Sequence, residues 1–264
     1  MINWDAFVFF VIATVVMQFI AMRNICKKTQ VKYVLLPSVA AILICLSFIL
    51  CLWSYLERPP MRTMGETRLL YSFFLMITGL VTWLRSKYSI LLIFSYILSI
   101  VFMCLNLFKP EIHEKELMPA LNSPWFVPHV VVYMMAYATI GCSCVLALIR
   151  LLDIKRFRNE PLLHHCDRLI FDGMGLLTLG MMMGALWAKE AWGDYWSWDP
   201  KEVWAAITWI TGIIYIHYRL SQNKSSKLPF VLVVLLFMSF QICWYGINYL
   251  PVAASSVHTY MDLN

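Results

Sequence analysis

Charge is what this chain has least of. Only 14% of its 264 residues are Asp, Glu, Lys or Arg, against 61% hydrophobic, a balance that excludes a soluble globular domain. No repeat of about 20–50 residues and no low-complexity tract is present, which leaves a single polytopic domain over 1–264 and no soluble module. The eight cysteines make no CxxC and no CxxCH. Cys45, Cys51, Cys104, Cys142, Cys144 and Cys243 lie in apolar runs and Cys26 and Cys166 on the basic side, so all read as small hydrophobes. That argues against a thiol-redox enzyme and against a covalently attached prosthetic group. The opening residues Met1-Ile2-Asn3-Trp4-Asp5 contain no base, so the first apolar run does not read as a cleavable signal peptide.

Apolar length, in contrast, is abundant. A bilayer span needs about 20 mostly apolar residues. Eight such runs can be read, over about 6–22, 33–56, 69–84, 89–108, 127–149, 169–188, 202–218 and 228–249. The predicted class is an all-α polytopic integral membrane protein with about eight transmembrane helices. Basic residues alternate with the runs: Arg23, Lys27, Lys28, Lys32, Arg85, Lys87, Arg150, Lys155, Arg156, Arg158, Arg168, Arg219, Lys224 and Lys227 share one side. These are fourteen of the twenty-one bases, and they mark the cytoplasmic face. Acids run the other way, with only Asp153, Glu160, Asp167 and Asp172 inside. Both termini and the segment 187–204 are therefore expected outside. The net charge of +6 is a topology signal, and no nucleic-acid partner is expected.

One outer stretch stands apart: WGDYWSWDPKEVW, Trp192 to Trp204, holds four of eleven tryptophans. Part of it is ordinary helix-start chemistry, with Asp199 as N-cap, Pro200 at the first helical position and Glu202 three residues after the cap. Tryptophan also belongs to membrane interfaces. Neither accounts for Trp192, Trp196 and Trp198 gathered around Gly193 and Asp194 upstream of the cap. The cluster reads either as an interfacial belt or as a platform for a large flat ligand with a polar edge.

The six histidines divide by position. His113, in a charged outer loop, and His164-His165, in the basic inner loop, read as solvated. His129 stands at the outer mouth of the fifth run and His258 just past the eighth, also outside. Two imidazoles on the face of an aromatic cluster suggest axial ligands to a haem iron. His217 lies on a helical face with Ile213, Ile210, Ala206 and Val203, roughly 25 Å inward from Pro200. An ionisable residue there is either a functional site or a side chain snorkelling beside Arg219.

These residues together resemble a known family. WGDYWSWDPKEVW, followed by Trp209, Tyr215 and His217, resembles the tryptophan-rich WWD signature of the haem-handling proteins of cytochrome c biogenesis. The Asp-Pro-Lys-Glu continuation looks like the CcsA/ResC branch of the System II cytochrome c synthase. RPPMRTMGETRLLYSFF (58–74) and LNSPWFVPHVVVYMMAYA (121–138) are similar to its early loop-and-helix and to the segment bearing its first external histidine. The resemblance covers about residues 55–260; the first run lies outside it.

The resemblance implies that His129 and His258 are the outward haem ligands, with Trp192, Gly193, Trp196, Trp198, Asp199 and Trp204 in the platform between them. His217 matches the transmembrane histidine that holds haem in transit. The chemistry implied is addition of two cysteine thiols of an apocytochrome c CxxCH motif across the vinyl groups of haem b, held non-covalently until then. Arg58, Arg62, Arg68 and Lys201 are the outer cations available to the propionates. The family's second deep histidine has no counterpart in this chain, which implies a CcsB/ResB-type membrane partner. The expected location is a bacterial-type inner membrane, or a thylakoid membrane, with the active face outside. Two other readings stand beside the synthase: a CcmC-like exporter that passes haem to a chaperone, and a non-catalytic membrane scaffold.

Overall fold

The computed structural model describes residues 4–61, 63–113, 123–154, 161–221 and 227–249. Eight α-helices account for nearly all of them: α1 (Phe7–Cys26), α2 (Val31–Leu56), α3 (Met64–Ser86), α4 (Ser89–Phe108), α5 (Phe126–Leu151), α6 (Leu162–Trp192), α7 (Pro200–Ser221) and α8 (Leu228–Trp244). The first six are long and apolar enough to cross a membrane, and α8 is a shorter apolar helix. The predicted class, an all-α multi-pass membrane protein, is the class observed. The helices gather into two compact units, residues 1–117 with α1–α4 and residues 118–264 with α5–α8.

In the first unit the helices are joined by small residues and by polar hooks. Lipid supplies no hydrophobic drive between helices, so close packing and interhelical hydrogen bonds must hold them. Gln18 of α1 donates to Ser99 of α4 at 3.2 Å, and Ser99 donates to the Ser72 carbonyl of α3 at 3.1 Å. Gly79 lets α3 lie directly against Ser95, where a Cβ would stand 2.4 Å from the serine Cβ. At the head of α3, Thr63 and Glu66 form a reciprocal capping box, and Arg58 grips the buried Glu66 carboxylate with two 3.0 Å bonds.

Pro37 sits inside α2, where it lacks the N–H that would bond the Tyr33 carbonyl. The Asn24 amide at the end of α1 takes that carbonyl instead, at 2.7 Å. Asn24→Asp, which cannot donate there, is expected to lower stability by about 1 kcal/mol. Pro37→Ala restores the missing donor, so the same change made in that background should cost much less. Thermal unfolding of the four proteins in detergent measures the difference.

Helix α6 is longer than its apolar run. Its 31 residues extend over about 46 Å, more than the ~30 Å hydrocarbon core of a bilayer. Asp167 and Arg168 fall ahead of the apolar run read over 169–188, yet the helix includes them. Leu162, Cys166, Leu169 and Ile170 are buried along its first turns and hold it. His164 and His165, expected in a loop, therefore stand on α6, and Cys166 is buried with its thiol 3.7 Å from the Ser143 carbonyl of α5.

In the second unit α5 packs on α6 and α8, and α7 packs on α6 and α8. Tyr137, Phe237, Phe240 and Trp244 form an aromatic seam between α5 and α8, to which the Gln241 amide adds a bond to the Tyr137 hydroxyl.

Candidate functional site

The start of α5 and the ends of α6 and α7 that flank the tryptophan-rich turn meet at one end of the second unit. His129 lies in the first turn of α5. Its Nδ1 is 2.7 Å from the Gly180 carbonyl of α6. A carbonyl oxygen only accepts, so the imidazole proton is on Nδ1 and the lone pair is on Nε2. The ring is stacked on Trp187, with centroids 5.7 Å apart and planes 24° apart, and Tyr133 lies against it at 4.8 Å. Trp187 in turn meets Trp192 edge-on at 4.7 Å. His129 and the first tryptophan of the motif thus belong to one aromatic cluster.

The turn that follows is built around a carboxylate. Gly193 ends α6 with φ +92°, a conformation that suits a residue without Cβ, and its carbonyl accepts from the Lys189 ammonium. The backbone N–H groups of Ser197 and Asp199 then both donate to Glu202 Oε2, at 2.8 and 3.1 Å. Converging N–H groups of this kind form an anion-binding nest, which requires a left-handed residue between them. That residue is Trp198, with φ +61°. The nest closes the turn and projects the Trp198 indole to the surface, 71% exposed. Asp199 caps α7 as its sequence position predicts, its side chain accepting from the Lys201 N–H at 3.0 Å. The Cys243 thiol reaches the Lys201 carbonyl at 3.5 Å and ties the end of α8 to this start. Trp204 is half-buried one turn further on.

The tryptophans do not share a plane. Trp196 and Trp198 meet at 86° and Trp187 and Trp192 at 66°, so only one ring of each pair can lie flat against a planar ligand. The Trp196 indole N–H is buried and has no hydrogen-bond acceptor among the described residues. A buried unmet donor at Trp196, an imidazole lone pair at His129 and the exposed Trp198 ring, all in the second unit, are groups that suit a flat ligand with a metal centre and polar edge groups.

Arg58 belongs to the first unit and its guanidinium is engaged by Glu66. Arg68, also in the first unit, keeps a buried guanidinium nitrogen with no hydrogen bond. Arg62 and His258 fall outside the described residues. His217 stands near the far end of α7 and is exposed, on a face shared with the exposed Ile207, Ile210 and Ile214. Behind it, Asp167 of α6 accepts from the Tyr215 hydroxyl at 2.7 Å and from Arg219 at 2.7 and 2.8 Å. Arg219 is thus an interhelical anchor.

Three contributors were not singled out from the sequence. Trp187 could have been found as one more tryptophan within a turn and a half of the motif. The Gly180-x3-Gly184 spacing is the familiar signal of close helix approach. The grip of Glu202 on Ser197 had no signal, because only its capping role was legible.

A family profile described as "Cytochrome C assembly protein" matches residues 2–253. The match includes α1, which the motifs alone left out. Curated proteins named "Cytochrome c biogenesis protein CcsA" are similar to the chain. That of Chlamydomonas reinhardtii is 34% identical over 172 residues, covering 62% of this chain and 48% of the relative. That of Marchantia polymorpha is 29% identical over 266 residues, covering 81% and 82%. That of Prochlorococcus marinus is 34% identical over 179 residues, covering 54% and 57%. Against the first and third of these, the chain spans about half of the relative's length.

Proposed function

The chain belongs to the cytochrome c assembly protein family, and on that premise we propose that it presents haem for covalent attachment to apocytochrome c. The chain is a multi-pass membrane protein of the cytochrome c biogenesis family. A single observation carries the reading of haem presentation: an imidazole with its proton held on Nδ1, stacked on Trp187 and joined through it to the tryptophan-rich motif.

In this reading haem b is the substrate, and it brings the two vinyl groups that react. Each cysteine of the CxxCH segment adds its S–H across one vinyl group, so one C–S and one C–H bond form and no oxidant is consumed. No protein nucleophile is required, and the chain's task is position. His129, with His258 as the second outer imidazole, holds the iron. Trp192 and one ring of the Trp196–Trp198 pair lie against the macrocycle, the other ring meets its edge, and Trp204 backs them. Gly193, Asp199 and the Glu202 grip set the turn that carries them, and Lys201 is the cation offered to a propionate. This end of the unit faces outside, across a bacterial-type inner membrane. His217 receives haem near the inner edge, and its exposed apolar surroundings suit a helix of a CcsB/ResB-type partner supplying a second ligand.

Co-expression with such a partner and an apocytochrome, with no haem chaperone present, tests the reading. The expected product is cytochrome c whose haem survives acid–acetone extraction. Haem on the chain with no thioether product would replace the synthase by a haem-delivery protein. A chain that never carries haem would reduce it to a scaffold.

A further inference from the structure

We infer that Gly184 of α6 is a positioning residue for His129: by lacking a Cβ it seats the imidazole on the helix backbone and fixes which nitrogen carries the lone pair. The inference rests on the reading of His129 as an iron ligand and adds how that ligand is held.

Helices α5 and α6 run antiparallel along a stripe of three glycines. A Cβ on Gly173 would lie 2.7 Å from Ile140, one on Gly180 2.2 Å from the Tyr133 ring, and one on Gly184 2.7 Å from His129 Cε1 and 2.9 Å from its Nδ1. The steps of seven and four along α6 are matched by equal steps back along α5, so the register is shared. At Gly184 the contact is with a functional ring, not with packing alone. In a helix the side chain at one position shields the carbonyl four residues earlier. With no side chain at 184, the Gly180 carbonyl is open to a second donor besides its own helical partner, and the His129 Nδ1–H fills that place at 2.7 Å. Trp187, three residues further on, closes the other side of the ring. Outer partners of this kind set a ligating histidine's tautomer and plane. A methyl group at 184 must push the ring off the carbonyl, since the methyl is fixed to the α6 backbone and the atoms nearest it all belong to the His129 ring.

The test uses the complex of this chain with its partner, reading outer-site haem by Soret absorbance and thioether product by extraction. Gly184→Ala is expected to lower both by about tenfold or more, and added imidazole should restore part of each, as it should for His129→Gly. Gly173→Ala introduces a clash of the same severity against Ile140, so any loss it causes should not respond to imidazole. Gly175→Ala, with nothing within 4 Å of the new methyl, should behave as wild type. If Gly184→Ala does not fold, the double variant with His129→Gly should fold, because the opposing ring is gone. A Gly184→Ala loss that imidazole leaves unchanged, or a double variant no more stable than the single, overturns the inference. An impaired His129→Gly beside a normal Gly184→Ala sinks the seat alone. A normal His129→Gly sinks the ligand reading and the seat with it.

Discussion

His129→Gly should reduce thioether-linked cytochrome c to background while the protein stays folded. The expectation follows from what the side chain does in the structure. Its ring is held by a backbone carbonyl, by Trp187 and by Tyr133, at the open end of the unit rather than in the middle of the core. Deleting it removes one coordination bond and leaves a hole the size of an imidazole beside Gly184. Free imidazole fits such a hole and can donate to the same Gly180 carbonyl, so millimolar imidazole should recover a measurable part of the yield. The paired measurement is the Soret band of the purified complex and the covalent haem content of the cytochrome, each with and without imidazole. If His129 were only a packing residue, imidazole would change neither quantity. Haem held through His217 should persist in this variant.

Asp167→Ala carries the second large effect, this time on the fold. The Asp167 carboxylate sits between α6 and α7 and accepts three hydrogen bonds, one from Tyr215 and two from Arg219. Both charged side chains are mostly shielded, at 16% and 14% exposure, and Tyr215 is fully buried. Removing the carboxylate takes away the acceptor of three hydrogen bonds between the helices, which should cost about 3 kcal/mol. Asp167→Asn still accepts from Tyr215 and should cost less; Arg219→Lys loses the two-pronged contact and should also fall between. Detergent-solubilised unfolding midpoints give the order. A functional effect follows from helical geometry. Tyr215 and Arg219 lie one turn apart on the face toward α6, and His217, about 200° round from Tyr215, points the other way. The clamp fixes that rotation. Asp167→Ala should therefore lower haem retained through His217 even at temperatures where the protein is folded. Normal retention would separate the anchor from the histidine.

Much of this protein was determined by the sequence alone. Uninterrupted apolar runs force helices, because a chain in lipid must satisfy every peptide group within itself. Seven of the eight helices are found within about five residues of where they were read, and α6 begins seven residues earlier. Asp199, Pro200 and Glu202 start α7 as their spacing required, since capping is a local matter of four residues. The tryptophan-rich motif and the position of His129 were legible because they are clustered in sequence.

Only the tertiary structure decided the rest. Helix α6 carries Asp167 within its span where a neighbouring helix supplies Arg219, and no reading of hydropathy along the sequence can see that partner. That Arg58 pairs with Glu66 was not legible either, because the contact is made only when α3 forms its cap. The tryptophans read as a belt or as a platform for a flat ligand; that Trp196 and Trp198 stand at 86° to one another, with Trp198 left-handed, came only with the structure. His129 gains its fixed tautomer from a carbonyl 51 residues away, exposed by a glycine on another helix. A motif can state which residues gather near one another; their orientation belongs to the helix they happen to face.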